Sequence, residues 1–134
     1  YAIGLIDAWK ALPENHLAKK QLEENVIQFA QMAMQFQQKN GGWHWLITNK
    51  SAQFDSSTAA TLAWFLANAS TIESISNECK STKENALHYL QKVTRRNGAI
   101  DFSQGDTKGI GIHSQRFDIL PFTQGFVLRT IYKK

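Results

Sequence analysis

Residues 58–67 read Thr-Ala-Ala-Thr-Leu-Ala-Trp-Phe-Leu-Ala and carry no charged side chain. Immediately before and at the start of this stretch, Ser56, Ser57 and Thr58 offer hydroxyl oxygens that can cap a helix. A helix without charge on any face is normally surrounded by other elements on all sides. The stretch therefore predicts a central helix that the rest of the chain encloses.

On both sides of this helix, apolar residues recur at intervals of three and four, which predicts further helices. Pro13 should end the first of them, Asn40-Gly41-Gly42 the second and Asn97-Gly98 the one that follows the central helix. Leu17 begins the apolar stripe of the second helix, and residues 99–102 are the only strand candidate. The helices are expected at about residues 2–12, 16–39, 81–96 and from Pro121 onward. Buried and half-exposed helices alternate, so we expect an all-α scaffold of inner helices wrapped by outer ones.

The bulk composition is that of one globular domain spanning residues 1–134, with 43% hydrophobic and 19% charged residues. The net charge of +4 is spread along the chain, whereas nucleic-acid binding needs a clustered basic face. No apolar run is long enough to span a membrane, and the first residues lack a signal-peptide pattern. The single cysteine, Cys79, fits a reducing compartment. We therefore expect a cytoplasmic protein with no nucleic-acid or membrane partner.

The first long loop, called loop A (residues 41–55), places a histidine between two tryptophans. Trp43 and Trp45 offer indole faces for the C–H surface of a sugar, and His44 can hydrogen-bond sugar hydroxyls. The alternatives are that the tryptophans pack the loop onto the helices and that His44 is structural. The far end of the loop and the start of the central helix add the candidate binding residues Asp55, Ser56 and Ser57, the two serines also being candidate helix caps.

The second long loop, called loop B (residues 97–111), has three glycines within seven residues, which lets its backbone approach a ligand closely. The glycine spacing does not match a Walker loop, so nucleotide binding is disfavoured. Asp101, Asp106 and Asp118 are the carboxylates available for acid–base chemistry, although the sequence cannot pair them. The other histidines lack metal-ligand spacing. The candidate binding residues of loop B are Gln104, Asp106, Thr107 and Lys108.

Three segments together resemble glycoside hydrolase families 88 and 105, which act on sugars that end in a 4,5-unsaturated uronic acid. They are Gly42–Trp45, Asp55–Leu66 and Pro121–Phe126, and Gln124 stands where these families have a glutamine or asparagine before a glycine. The resemblance implies a partial (α/α)6 toroid, with this chain forming the C-terminal half of the barrel.

The resemblance also implies a mechanism. In these families an aspartate protonates the C4–C5 double bond and activates the water that adds at C5, without a metal or organic cofactor. That aspartate lies in the first half of the barrel and matches no residue here, so we expect the chain to bind an unsaturated uronic-acid oligosaccharide but to be inactive alone. Half a toroid should expose the apolar sides of the first and third helices. A homodimer, or a partner that supplies the missing half, is therefore expected.

Two other functions stay open. A non-catalytic carbohydrate-binding or assembly module would keep the tryptophan platform and bind sugar without turnover. A different toroid enzyme, such as a relative of cyclases or mannosidases, would need acidic clusters that the sequence does not show.

Overall fold

The computed structural model describes residues 1–133, and the helical scaffold predicted from periodicity is confirmed in it. A short 3-10 turn, Glu73–Ile75, precedes the fourth helix, and two short strands pair antiparallel. No helix in this range combines the length and the hydropathy needed to cross a bilayer. The helices and strands are α1 (Ala2–Ala11), α2 (Lys19–Phe36), α3 (Ser56–Ala69), α4 (Ser76–Lys92), β1 (Ser103–Gln104), β2 (Phe117–Asp118) and α5 (Pro121–Ile131).

Helix α3 is the centre of the molecule, as its lack of charge predicts. It packs against α1, α2, α4 and α5, and the side chain of Phe65 is fully buried. Ala59, Ala60 and Ala63 are also fully buried, and such small side chains let neighbouring helices approach closely. The ring of Phe65 meets Phe29 of α2 edge to face at 4.9 Å.

The expectation that the first and third helices expose their apolar sides is wrong. The large apolar side chains of α1, Leu5, Ile6 and Trp9, are buried, and α3 is enclosed by its neighbours within this chain. Exposed apolar side chains are concentrated instead on and just after α5, where they include Phe122, Leu128, Ile131 and Tyr132. The unpartnered surface therefore lies on the last helix.

Helix α2 begins three residues later than predicted. Residues 13–18 form turns, and Leu17, which was expected to face inward, is fully exposed. Lys19 is buried because its Nζ donates to the carbonyl oxygens of Trp9 at 2.6 Å and Leu12 at 3.0 Å. These carbonyls lie at the end of α1, where helical carbonyls lack partners, so Lys19 joins the two helices by capping the first.

The predicted fourth helix is displaced toward the N-terminus, because α4 covers residues 76–92 rather than 81–96. A tight turn follows it, in which the Arg95 N–H donates to the Ala99 carbonyl and Gly98 has a φ of 85°. The predicted strand at 99–102 is reduced to a single bridge between Thr94 and Ile100. The observed strands are β1 and β2, with Ser103 opposite Asp118.

The turn between α2 and loop A depends on Gly41. Its φ is 88°, a left-handed conformation that favours glycine, and a Cβ there would lie 2.1 Å from the Asn85 carbonyl oxygen. The chain thus runs directly against the backbone of α4. Loop A enters the molecule from a fixed position.

Replacing Gly41 by alanine should lower the free energy of unfolding by about 2–4 kcal/mol, because the new Cβ meets both unfavourable φ and a backbone oxygen. Gly4→Ala is the matched control: Gly4 lies in α1 with nothing within 4 Å of a built Cβ. That change should raise stability by up to about 1 kcal/mol through helix propensity. Urea denaturation followed by circular dichroism measures both, and equal stability of the two variants would contradict this account.

Candidate functional site

The carboxylate of Asp55 organises the start of α3. It accepts the backbone N–H groups of Ser57 and Thr58 at 3.0 Å each, and the hydroxyls of the same two residues at 2.7 and 2.6 Å. A fifth donor, the backbone N–H of Gln104 in β1, reaches its Oδ1 at 2.9 Å. Five donors occupy the roughly four lone-pair sites of a carboxylate, so Asp55 has none left for a ligand. Asp55, rather than the predicted serines, is the helix cap, and it holds loops A and B together.

A chain of buried hydroxyls continues inward from this cap. Ser56 Oγ lies 2.7 Å from Ser103 Oγ, which lies 2.6 Å from Thr123 Oγ1 on α5. All three residues are fully buried. Ser56 is therefore a link between α3, β1 and α5, and its side chain does not reach the surface.

Loop A forms a hairpin in which two of its predicted platform residues face the core. The backbone of Asp55 pairs with that of Trp43, and His44 bridges Phe54. Trp43 is fully buried and its Nε1–H donates to the Ala33 carbonyl at 2.8 Å, so it packs loop A onto the helices rather than lying at the surface. His44 is also buried: it stacks on Phe54 at 4.3 Å and its Nδ1 donates to the Ala52 carbonyl. The structural alternative holds for both residues.

Trp45 is the tryptophan of loop A that reaches the surface. It is half-buried, and its ring lies 5.2 Å from the ring of His113, which is exposed on the segment that follows loop B. Sequence reasoning missed His113, because it was considered only as a metal ligand. The two rings form an aromatic contact between the two loops, of the kind that can stack on a sugar ring.

A cavity of about 290 Å³ adjoins the first turns of α1 and α3. Ser57, Thr58 and Thr61 line it with hydroxyl groups, and Phe29 contributes an aromatic wall. The three hydroxyl protons already have acceptors within the protein: Ser57 and Thr58 donate to Asp55, and Thr61 donates to the Ser57 carbonyl at 2.7 Å. The hydroxyl oxygens can therefore act toward a ligand as acceptors. Thr61 is a further residue that sequence reasoning did not select.

The remaining predicted residues lie apart from this cavity. The side-chain amide of Gln104 donates to the Ser114 carbonyl at 2.8 Å, which fixes the fold of loop B. Asp106, Thr107 and Lys108 are exposed at the tip of that loop. Gln124 lies on the other side of α5, in a groove of about 530 Å³ between α4 and α5. The structure brings Asp55, Ser57 and Gln104 together. The other four predicted residues lie elsewhere: Asp106, Thr107, Lys108 and Gln124.

Two titratable groups near the loops, Asp101 and Tyr89, have shifted pKa values. The backbone N–H of Phe102 and then the Arg95 guanidinium, 2.6 Å away, lower the pKa of Asp101. Asp118 pairs with Arg116 at 3.2 Å. Burial, and then the charge of Asp55, raise the pKa of Tyr89 to about 12. Among residues 1–133, no group of three His, Cys, Asp or Glu side chains could hold a metal ion.

Comparison with known proteins places this sequence in a family. The sequence model of Glycosyl Hydrolase Family 88 matches residues 1–128. No curated protein matches the chain.

Three solved structures share the fold. A possible member of the GH105 family from Salmonella enterica serovar Paratyphi A superposes with a TM-score of 0.85 at 17% identity. A possible GH105 member from Klebsiella pneumoniae gives 0.84 at 15%, and a family 88 glycosyl hydrolase from Bacteroides vulgatus gives 0.77 at 18%. They cover 96–97% of this chain, and the chain spans 36–39% of theirs. At these identities the likeness establishes the helical fold.

Replacing Asp55 by alanine should cost about 2–4 kcal/mol of unfolding free energy, since it removes the cap of α3 and leaves the partly buried Gln104 N–H without its acceptor. Asp106→Ala, which removes an exposed carboxylate from loop B, should stay within about 0.5 kcal/mol of the parent. Thermal and urea unfolding measure the difference. An Asp55→Ala protein as stable as the Asp106→Ala protein would refute the organising role of Asp55.

Proposed function

Because the chain belongs to glycosyl hydrolase family 88, we propose that it supplies sugar-binding loops to an unsaturated uronyl hydrolase. The ligand in this proposal is an oligosaccharide that ends in a 4,5-unsaturated uronic acid. The reaction is hydration of its C4–C5 double bond, after which the hemiketal collapses and releases the neighbouring sugar.

The observation that carries the proposal is the meeting of loops A and B over the first turn of α3. The rings of Trp45, in loop A, and His113, just after loop B, are in contact with their centroids 5.2 Å apart. Ser57 and Thr61 line the cavity at the first turns of α1 and α3 with oxygen atoms. Sugars combine C–H faces, which stack on aromatic rings, with hydroxyl groups, which donate to such oxygens. The chain has both kinds of feature that sugar binding uses.

The described residues do not provide a poised acid–base pair beside this surface, which supports the proposal that the chain is inactive alone. Hydration of the double bond needs a carboxyl group that can hold a proton near neutral pH. Asp55 is occupied by five donors, while Asp101 and Asp118 pair with arginines and the pKa of Asp101 is lowered. Asp106 is exposed to solvent on loop B. The proton-donating aspartate is proposed to lie outside these residues.

We further propose that the apolar groove between α4 and α5 is covered in the working protein, by a second copy of the chain or by helices that complete the toroid. Leu128 and Ile131 line this groove and are more than half exposed. We also propose that the protein works in the cytoplasm, as its single cysteine led us to expect.

Trp45→Ala and His113→Ala should each weaken binding of an unsaturated uronyl disaccharide by about tenfold, because each removes one ring of the loop-to-loop contact. Trp45→Phe keeps an aromatic face and should lose less. His16→Ala removes an exposed histidine at the other end of α2 and serves as the matched control. Isothermal titration calorimetry gives the affinities.

The same samples test catalysis through the ultraviolet absorbance of the conjugated double bond. Binding without loss of absorbance is the expected result for this chain alone. Turnover would contradict the inactive state, and the absence of any binding that depends on Trp45 would overturn the sugar-binding proposal. The remaining outcome concerns a protein in which further helices complete the toroid. If that protein binds the sugar but still does not consume it, a carbohydrate-binding module is favoured instead.

The covered groove predicts self-association. The chain alone should sediment as a dimer at micromolar concentration, and Leu128→Glu with Ile131→Glu should shift it to a monomer by placing charges on the apolar face. Phe102→Glu is the control. It replaces an exposed aromatic residue on loop B and should leave the dimer intact. Analytical ultracentrifugation distinguishes these states, and a parent chain that sediments as a stable monomer would rule out the dimer.

A further inference from the structure

A second concave site lies where the end of α2 meets the end of α4, away from the aromatic contact of the two loops. It is a cavity of about 170 Å³, large enough for a small anion and some of its water. We call it the lysine pocket. Its lining residues are Lys39, Asn40, Gly41, Asn85, His88 and Lys92.

The charges of the lysine pocket are one-sided. Its lining contains two lysines and no carboxylate. Within residues 1–133, neither Lys39 nor Lys92 forms an ion pair, although other lysines such as Lys19 and Lys83 do. An ammonium group has three donors and no acceptor. Two of them around one concavity favour an anion with several oxygen atoms.

The neutral lining residues add donors to this set. The backbone N–H of Gly42 donates to Asn40 Oδ1 at 3.0 Å, so the NH₂ group of Asn40 is the part left for a ligand. His88 is exposed on α4, one turn before Lys92, and Asn85 precedes it on the same face. Lysines often lie near helix ends because they interact with terminal carbonyls. That tendency accounts for Lys39 after the end of α2 and for Lys92 at the end of α4. It does not account for the amide and imidazole groups between them.

The floor of the lysine pocket is rigid. Gly41 lies so close to the backbone of α4 that a Cβ could not be accommodated. Gln37 fixes the same junction, since its amide donates to the carbonyls of Gly41 at 3.0 Å and Thr82 at 2.9 Å. The two segments that carry the lysines are therefore held at a constant separation. The backbone around the pocket therefore needs no rearrangement when a ligand binds.

We propose that the lysine pocket binds a compact oxyanion, that is, a carboxylate, sulfate or phosphate group. This site is separate from the proposed sugar-binding surface and does not depend on that function. Two sources supply the same chemistry: a free inorganic anion, or an acidic group carried on a sugar. Because the lysines are exposed to solvent, the affinity is expected to be on the order of millimolar and to fall with ionic strength.

The test is an NMR titration of the ¹⁵N-labelled chain at constant ionic strength with sodium sulfate, potassium phosphate and sodium glucuronate. The backbone amide signals of Gly41, Asn85 and Lys92 should shift in a saturable way. Tighter binding of sulfate or phosphate would identify a free anion as the ligand type, and tighter binding of glucuronate a sugar-borne acid. If none of the three probes gives saturable shifts at these amides, the proposal is wrong.

Two double Lys→Gln variants distinguish binding at the lysine pocket from an effect of the net charge of the chain. Lys39→Gln with Lys92→Gln should weaken binding by about tenfold or more, since each lysine supplies a charge-assisted hydrogen bond. Lys20→Gln with Lys80→Gln removes the same number of charges from exposed positions on α2 and α4. Lys80 lies about 18 Å along α4 from Lys92, and neither control residue forms an ion pair within the described chain. Equal weakening in the two double variants would overturn the proposal, and both pairs are exposed enough to leave folding intact.

Discussion

The buried carboxylate of Asp55 connects segments that are far apart in the sequence. A buried charge is costly unless hydrogen bonds replace its lost water, and here the first turn of α3 and the backbone of β1 provide five donors. The N–H of Gln104 can reach the carboxylate only if β1 crosses the start of α3. That crossing sets Ser103 beside Ser56 and, through Thr123, fixes α5. One side chain thus joins the end of loop A to the middle of loop B.

The two ends of the inner helices have different roles. At their C-terminal ends, amino groups join neighbouring helices: Lys10 Nζ donates to Asn68 Oδ1 at 2.8 Å, and Lys133 donates to the Ala67 carbonyl. Lys19 does the same for α1. The bonds from Lys19 and Lys133 satisfy backbone carbonyls that a helix end would otherwise leave without partners. The N-terminal ends of α3 and α5 follow the long loops instead.

The sequence predicted the helices well, because the enclosure of α3 and the stripes of α2 and α4 follow from local patterns. It failed where a partner lies far along the chain. Trp43 between glycine and histidine resembles a surface platform, yet its indole N–H finds the Ala33 carbonyl inside the molecule. Ser103 and Thr123 carry no local sign that they share a hydrogen bond. His113 became a candidate only when the fold brought it to Trp45.

The direction of the hydroxyl protons limits what the proposed sugar surface can do. Ser57 and Thr58 direct their protons to Asp55, and Thr61 directs its proton to a backbone carbonyl. These three hydroxyls can therefore accept hydrogen bonds from a sugar but have no proton to give it. Adding water to a carbon–carbon double bond requires a proton at carbon, so the three hydroxyls could orient a sugar but could not start that reaction. In the proposed function, a group from another segment must deliver the proton, while these residues hold the ring in position.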